Sequence, residues 1–173
     1  LQELQIPSTV FVTTDPETWI FHSGEYHERR MTEDEIRACE QGGIAVESHS
    51  VSHRGLNEMS DEEALKEMVD SKAEISAWIG RDVRYFSIPL NFYNRRTLEL
   101  CKEAGYSAVC VCDGATTNGS SSPFRIRRFI VEGTWSMKEF PRFIAPRNIG
   151  QRRIIASIKR IPPKVLGEKR WMP

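Results

Sequence analysis

Seven consecutive residues carry the strongest chemical signal in the sequence: Glu47-Ser48-His49-Ser50-Val51-Ser52-His53. Imidazole is a proton carrier near neutral pH and a common nitrogen ligand for divalent metals. His49 and His53 stand four residues apart, so a helical or turn conformation puts both rings on one side, within reach of one divalent ion. Surface and capping histidines also occur at this spacing, and spacing alone leaves both readings open. The cysteines offer less. Cys39 and Cys101 fall in helical patterns, whereas Cys110 and Cys112 alternate with Val109 and Val111 in a strand-like run. Cys-x-Cys is not the two-residue-spaced pair of a zinc or redox site. Four buried thiols in a reducing compartment are therefore expected.

The elements around the histidine pair decide where it sits. Residues 9–13 form a β-branched and aromatic run, after a stretch at 1–4 that reads as the last turn of a helix stopped by Pro7. Residues 14–31 read as a polar loop. Thr32-Glu33-Asp34-Glu35 is a capping box, and the helix it opens stops at Gly42-Gly43. Ile44-Ala45-Val46 then reads as a buried strand that delivers the histidines at its C-terminal end. A second capping box, Ser60-Asp61-Glu62-Glu63, opens a helix with Leu65, Met68, Ile75 and Ile79 on one apolar face, ending at Gly80. Residues 83–88 read as a strand, Asn94 caps a helix to Ala104, and residues 106–112 read as another strand. A loop follows over 113–123, then a strand-like run over 124–131, a short helix from Ser136 and an amphipathic stretch over 149–161. Strands alternating with helices of ten or more residues predict βα units and a parallel sheet. In such folds sites lie at the C-terminal ends of strands, which directs attention to the loops after Val12, Val46, Ile88 and Cys112.

Charge is balanced overall, with 24 Lys plus Arg against 24 Asp plus Glu, but it is divided along the chain. Residues 1–124 carry 11 basic and 21 acidic side chains; residues 125–173 carry 13 and 3, and within these 147–173 carry 8 and 1. An acidic body with a basic tail suggests that the tail meets something anionic, or docks on the protein's own acidic surface. Ile154, Ile158 and Ile161 share one face there, a pattern suited to an anionic membrane surface or to packing on the body. No nucleic-acid-binding motif accompanies the charge, so nucleic acid is not the expected partner. At 173 residues, 39% hydrophobic and 28% charged, the chain reads as one folded domain (1–146) with a basic appendage (147–173), not a disordered tract. No apolar run approaches the roughly 20 residues of a membrane span. No stretch has the pattern of a secretory leader, so a cytoplasmic or membrane-peripheral place is expected.

The order of these segments resembles a known family. Residues 42–56, Gly-Gly-Ile-Ala-Val-Glu-Ser-His-Ser-Val-Ser-His-Arg-Gly-Leu, are similar to the second motif of the polysaccharide deacetylases (the NodB-homology domain, or family-four carbohydrate esterases), His-[Ser/Thr]-x-x-His. Thr9-Val10-Phe11-Val12 resembles the strand after that family's first helix. Residues 60–80 resemble the helix after its second motif. Phe86-Ser87-Ile88-Pro89-Leu90 stands in the place of its third, followed at the expected distance by Ala104-Gly105-Tyr106. The likeness covers roughly residues 1–131.

The resemblance implies an α/β fold, a distorted (β/α) barrel, and hydrolysis of N-acetyl (or O-acetyl) groups on a glycan, such as an exopolysaccharide or its lipid-linked precursor. It implies a divalent metal, usually zinc, held by His49, His53 and an Asp, with a second Asp as general base on the attacking water. The family's Asp pair ends a strand upstream of the helix that precedes Pro7. That strand and the catalytic Asp are therefore expected upstream of Leu1, in a longer natural product. Pro89 is expected to shape the groove wall, with Leu90 and Asn91 setting the pocket, although Ser87 stands where the family usually has Arg and Leu90-Asn91 replace its aromatic-Gly. No His follows His53, so the family's C-terminal His has no counterpart here. His22 and His27 could line the groove, supply a stand-in ligand, or be ordinary loop residues. Trp19, Tyr26, Phe92, Tyr93 and Trp135 could stack on sugar rings or serve as core and rim. Asp113 could act as an acid, orient one, or cap its loop. The rival reading is a non-catalytic glycan-binding or membrane-associated module on the same fold.

Overall fold

A computed structural model of the protein describes residues 3–17, 21–23, 26–113 and 122–128, with the single positions 130, 131, 136 and 138. Contacts divide the chain into two units, Leu1–Val109 and Cys110–Pro173.

In the first unit β1 (Thr9–Val12) is followed by a hairpin of β2 (Phe21–Ser23) and β3 (Tyr26–Glu28), then by α1 (Glu33–Gln41), β4 (Ala45–Ser48), α2 (Asp61–Ile79), β5 (Tyr85–Ser87) and α3 (Arg95–Glu103); β6 (Ala108–Val111) begins in this unit and ends in the second. The helix starts are set locally. Thr32, Ser60 and Asn94 each accept from the backbone amide three residues on, and Glu35, Glu63 and Thr97 reach back to close three capping boxes. The sheet order is β1-β4-β5-β6. Val12 lies opposite Ser48 and Ser48 opposite Phe86, in parallel register. Parallel strands end at a common edge, so the loops after Val12, Ser48 and Ser87 emerge together. The core beneath them is Ile36, Val46, Met68, Ile75, Val83, Phe86 and Val109, all fully buried.

The parallel α/β expectation holds, with local corrections. Residues 14–31 are not all loop: β2 and β3 pair antiparallel, with His22 opposite His27. Phe21 and Tyr26 are aromatic strand formers on either side of Gly24. The start of the chain makes a turn at residues 3–5. The strand expected over 83–88 narrows to β5; just before it the Arg84 amide donates to the Glu47 carboxylate at 2.8 Å, and the Tyr85 amide at its first residue does the same at 2.7 Å. The buried stripe of α2 is Ala64, Met68, Ser71 and Ile75; Leu65 and Ile79 are only half-buried. Ser71 enters the core because its Oγ meets that of Ser48 at 2.8 Å.

In the second unit Cys110 and Val111 pair in parallel with Ile126 and Arg127 of β7 (Ile126–Arg127). The expected strand over 124–131 shrinks to these two residues, since Ser122 caps a 3₁₀ turn at Pro123–Arg125. The helix expected from Ser136, the amphipathic stretch over 149–161 and the basic appendage 147–173 fall outside the described residues. Among the described residues no helix is long and apolar enough to cross a membrane.

Candidate functional site

The histidine pair follows directly from the end of β4. The His49 amide donates to the Val12 carbonyl at 2.9 Å, extending the β1–β4 pairing by one residue. Its ring then lies against the end of β5, with Nδ1 2.7 Å from the Ser87 carbonyl oxygen. A carbonyl only accepts, so Nδ1 carries a proton and donates it to Ser87, which leaves Nε2 as the nitrogen able to ligate when the ring is neutral. Beyond His49 the chain turns through Ser50 (φ 70°) and reaches His53 (φ 59°), both left-handed. The Ser50 hydroxyl accepts from the His53 amide at 3.2 Å. The rings meet edge to face with centroids 4.9 Å apart. The expected juxtaposition is thus made by a turn with two left-handed residues, not by a helix. Burial pushes the His53 pKa below its ordinary value, which keeps the ring neutral at neutral pH.

The loop is fastened from α2. The Glu67 carboxylate accepts from the amides of Val51 (3.0 Å) and Ser52 (2.8 Å) and from the Ser52 hydroxyl (2.7 Å). On the other side of the same peptide, the Asp15 amide donates to the Val51 carbonyl at 3.1 Å. Thr13 and Thr14, which bridge Val12 and Asp15, are buried, and their hydroxyls have no partner among the described residues.

Ser87 leads into the 3₁₀ turn Pro89–Asn91 after β5. Pro89 is buried, Asn91 half-buried, and Leu90 is 53% exposed. Leu90 (φ 54°) and Asn91 (φ 56°) are also left-handed, so four of the five such non-glycine residues among the described residues lie in these two loops. Strained backbone collects where the surrounding structure fixes it, often at functional sites. The loops pack closely, since a Cβ on Gly55 would stand 3.1 Å from Cδ2 of Phe92.

Several candidates take other roles. Phe92 and Tyr93 are buried and present no open face for stacking. Asp113, in the second unit, receives Nη2 (2.7 Å) and Nε (3.0 Å) of Arg125 on one carboxylate oxygen, which accounts for its place at a strand end. Trp19 and Trp135 lie outside the described residues. Cys101 and Cys110 are buried, whereas Cys39 and Cys112 are half-buried, against the expectation of four buried thiols. Glu67, Thr13, Thr14 and the Ser87 carbonyl were not legible as site groups. The one available signal was Ser71, a hydroxyl in the apolar stripe of α2, which marks that helix as facing polar groups.

The donor chemistry of the pair suits a divalent metal: one imidazole has its tautomer fixed by a carbonyl, and the other is kept neutral by burial. Among the described residues no third His, Cys, Asp or Glu joins them to make a ligand set.

Residues 1–109 match the sequence model of the polysaccharide deacetylases. The chain belongs to the polysaccharide deacetylase family. It is 25% identical over 118 residues to YxkH of Bacillus subtilis (strain 168), whose name places it among the polysaccharide deacetylases, covering 68% of this chain and 42% of that protein. This polysaccharide deacetylase domain is similar in fold to the Streptococcus pyogenes deacetylase PplD, solved in complex with acetate (TM-score 0.71, 18% identity, 84% of this chain and 62% of that one). It is also similar to IcaB from Ammonifex degensii (TM-score 0.64, 16% identity, 92% and 64%). The chain therefore spans less than half of the curated relative and under two thirds of these solved structures.

Proposed function

We propose that this chain carries the metal-binding histidine pair of a hydrolase that removes N-acetyl, or O-acetyl, groups from a glycan. Family membership supports the reaction class, and family members generally use a divalent metal. The observation that carries the reading is the bond between His49 Nδ1 and the Ser87 carbonyl at 2.7 Å, with His53 4.9 Å away. A histidine that ligates a metal usually donates its other nitrogen in this way. His49 and His53 would hold the ion, for which zinc suits two imidazoles. When bound, such an ion supplies Lewis acidity, lowering the pKa of a water and polarising the acetyl carbonyl. The protein's own part is orientation. Ser87 fixes the His49 ring and tautomer, burial keeps His53 unprotonated, and Pro89, Leu90 and Asn91 form the groove wall with Leu90 at its tip. The general base, expected to be an Asp, is not assigned to a residue of this chain.

The test is zinc content by mass spectrometry together with acetate release from chitooligosaccharides, for protein carrying this chain and for its His49→Ala variant. Stoichiometric zinc and acetate release, both lost in the variant, are expected. A protein without zinc, on which His49→Ala has no effect, overturns the reading. The charge of 147–173 supports an anionic membrane surface as a second partner. Sedimentation with anionic vesicles should be lost on deleting 147–173; equal sedimentation of the shortened chain refutes it.

A further inference from the structure

We infer that Glu67 is the positioning residue of the histidine loop: it sets where His53 stands relative to His49. This rests on the proposed metal-binding reading. His49 is fixed independently of α2, by the Val12 carbonyl at its amide and the Ser87 carbonyl at its ring. His53 has no such anchor in the sheet; its amide is tied to Ser50 within the loop itself. The separation of the rings therefore depends on the path of residues 50–52. That path includes a left-handed serine and ends on a left-handed histidine, conformations that persist only where neighbours impose them.

The neighbour that does so is Glu67. It sits in the middle of a 19-residue helix held at both ends, by the Ser60 capping box and by Gly80 in the left-handed cap conformation. One carboxylate oxygen takes both consecutive amides, Val51 and Ser52, and the other takes the Ser52 hydroxyl. With Asp15 holding the Val51 carbonyl, that peptide is pinned on both sides. The role is geometric, so an isosteric amide serves it: a glutamine oxygen accepts from both amides, and its NH₂ donates to the Ser52 hydroxyl.

The experiment compares zinc affinity, by competition with a chromophoric chelator, for the full chain and its Glu67→Ala, Glu67→Gln and Ser52→Ala variants. Thermal unfolding and hydrogen exchange of the Val51 and Ser52 amides are followed on metal-free protein. Glu67→Ala is expected to weaken zinc by about 10–100-fold, the range for groups that orient metal ligands, and to speed exchange at these two amides. Glu67→Gln should recover most of both. Zinc binding by Glu67→Ala within twofold of the unsubstituted protein, with unchanged exchange, overturns the assignment. Failure of Glu67→Gln to recover either quantity also overturns the geometric role. If Glu67→Ala does not fold, Ser52→Ala decides: a several-fold weaker affinity is expected, and an equal one refutes. If the unsubstituted protein binds no zinc, the metal-binding reading fails, and exchange at Val51 and Ser52 still tests the clamp.

Discussion

Replacing Arg81 with methionine removes the counter-charge from the carboxylate that links β4 to β5. The Arg81 guanidinium donates to Glu40 from Nε (2.6 Å) and Nη2 (2.8 Å), to Glu47 from Nη1 (3.0 Å), and to the Val46 carbonyl (3.0 Å). The Glu47 side chain is 3% exposed, so in the variant its carboxyl group is left out of water with only the Arg84 and Tyr85 amides. Breaking a fully buried pair costs about 3–5 kcal/mol. The Arg81 side chain is 34% exposed and the two amides stay, so solvent screening reduces this to about 2–3 kcal/mol here. With a urea m-value of about 2 kcal/mol/M, the unfolding midpoint should fall by about 1 M, read by circular dichroism at pH 7. Adding Glu47→Gln should restore about half of the loss, because a buried amide needs no counter-charge.

The pH dependence follows from Glu40. Its bond to Arg81, first, and the Val46 amide hold its carboxyl below the ordinary value of 4.5, against burial. In the window below 4.5 the unfolded chain binds more protons than the folded one. The stabilisation is therefore fully present above 4.5 and is lost as pH falls through the folded value. The gap between unsubstituted protein and Arg81→Met should narrow below pH 4.5. A stability change under about 0.5 kcal/mol at pH 7, or a gap constant down to pH 3, refutes this account of the network.

Tyr106 gives the opposite dependence. Burial pushes its phenol up to about 12, so the unfolded state loses its proton first and stability falls as pH rises above 10. Tyr106→Phe should flatten that slope by about 1.4 kcal/mol per pH unit between 10 and 12, leaving the share due to the buried Cys101 thiol, also raised to about 12; an unchanged slope in urea titrations counts against it. Ser71→Ala takes one partner from the Ser48 hydroxyl, which keeps the Ser50 amide, and should cost about 1 kcal/mol; in a double-mutant cycle with Ser48→Ala the losses should be less than additive, and additive losses would show that the two do not pair. Gly55→Ala presses a methyl on the Phe92 ring and should lower stability by about 1 kcal/mol, judged by thermal unfolding; no loss means that the two loops are not packed as described.

What was legible in the sequence was local. Thr32 and Ser60 announce their helices through a partner three residues away, and the spacing of His49 and His53 announces that their rings lie together. The parts that went unread join distant positions. Glu67 acts 15 residues from Ser52, and Glu47 meets Arg81 across 34. Such pairs depend on which strand lies beside which, and no periodicity encodes that. Phe92 shows which of two readings burial selects: of stacking platform or core, it takes the core, packed against Gly55 of the loop that carries the histidines.

The stretch 46–53 leaves little room for variation. Val46 is in the core, Glu47 ties β5, Ser48 meets Ser71, His49 meets Ser87, Ser50 holds His53, and Val51 and Ser52 are fixed by Glu67. Leu90 protrudes from the turn after β5 with 53% of its surface exposed. This separates two kinds of inheritance. The histidine segment can change only through several coordinated substitutions. Leu90, exposed on its turn, can change one residue at a time without disturbing these contacts.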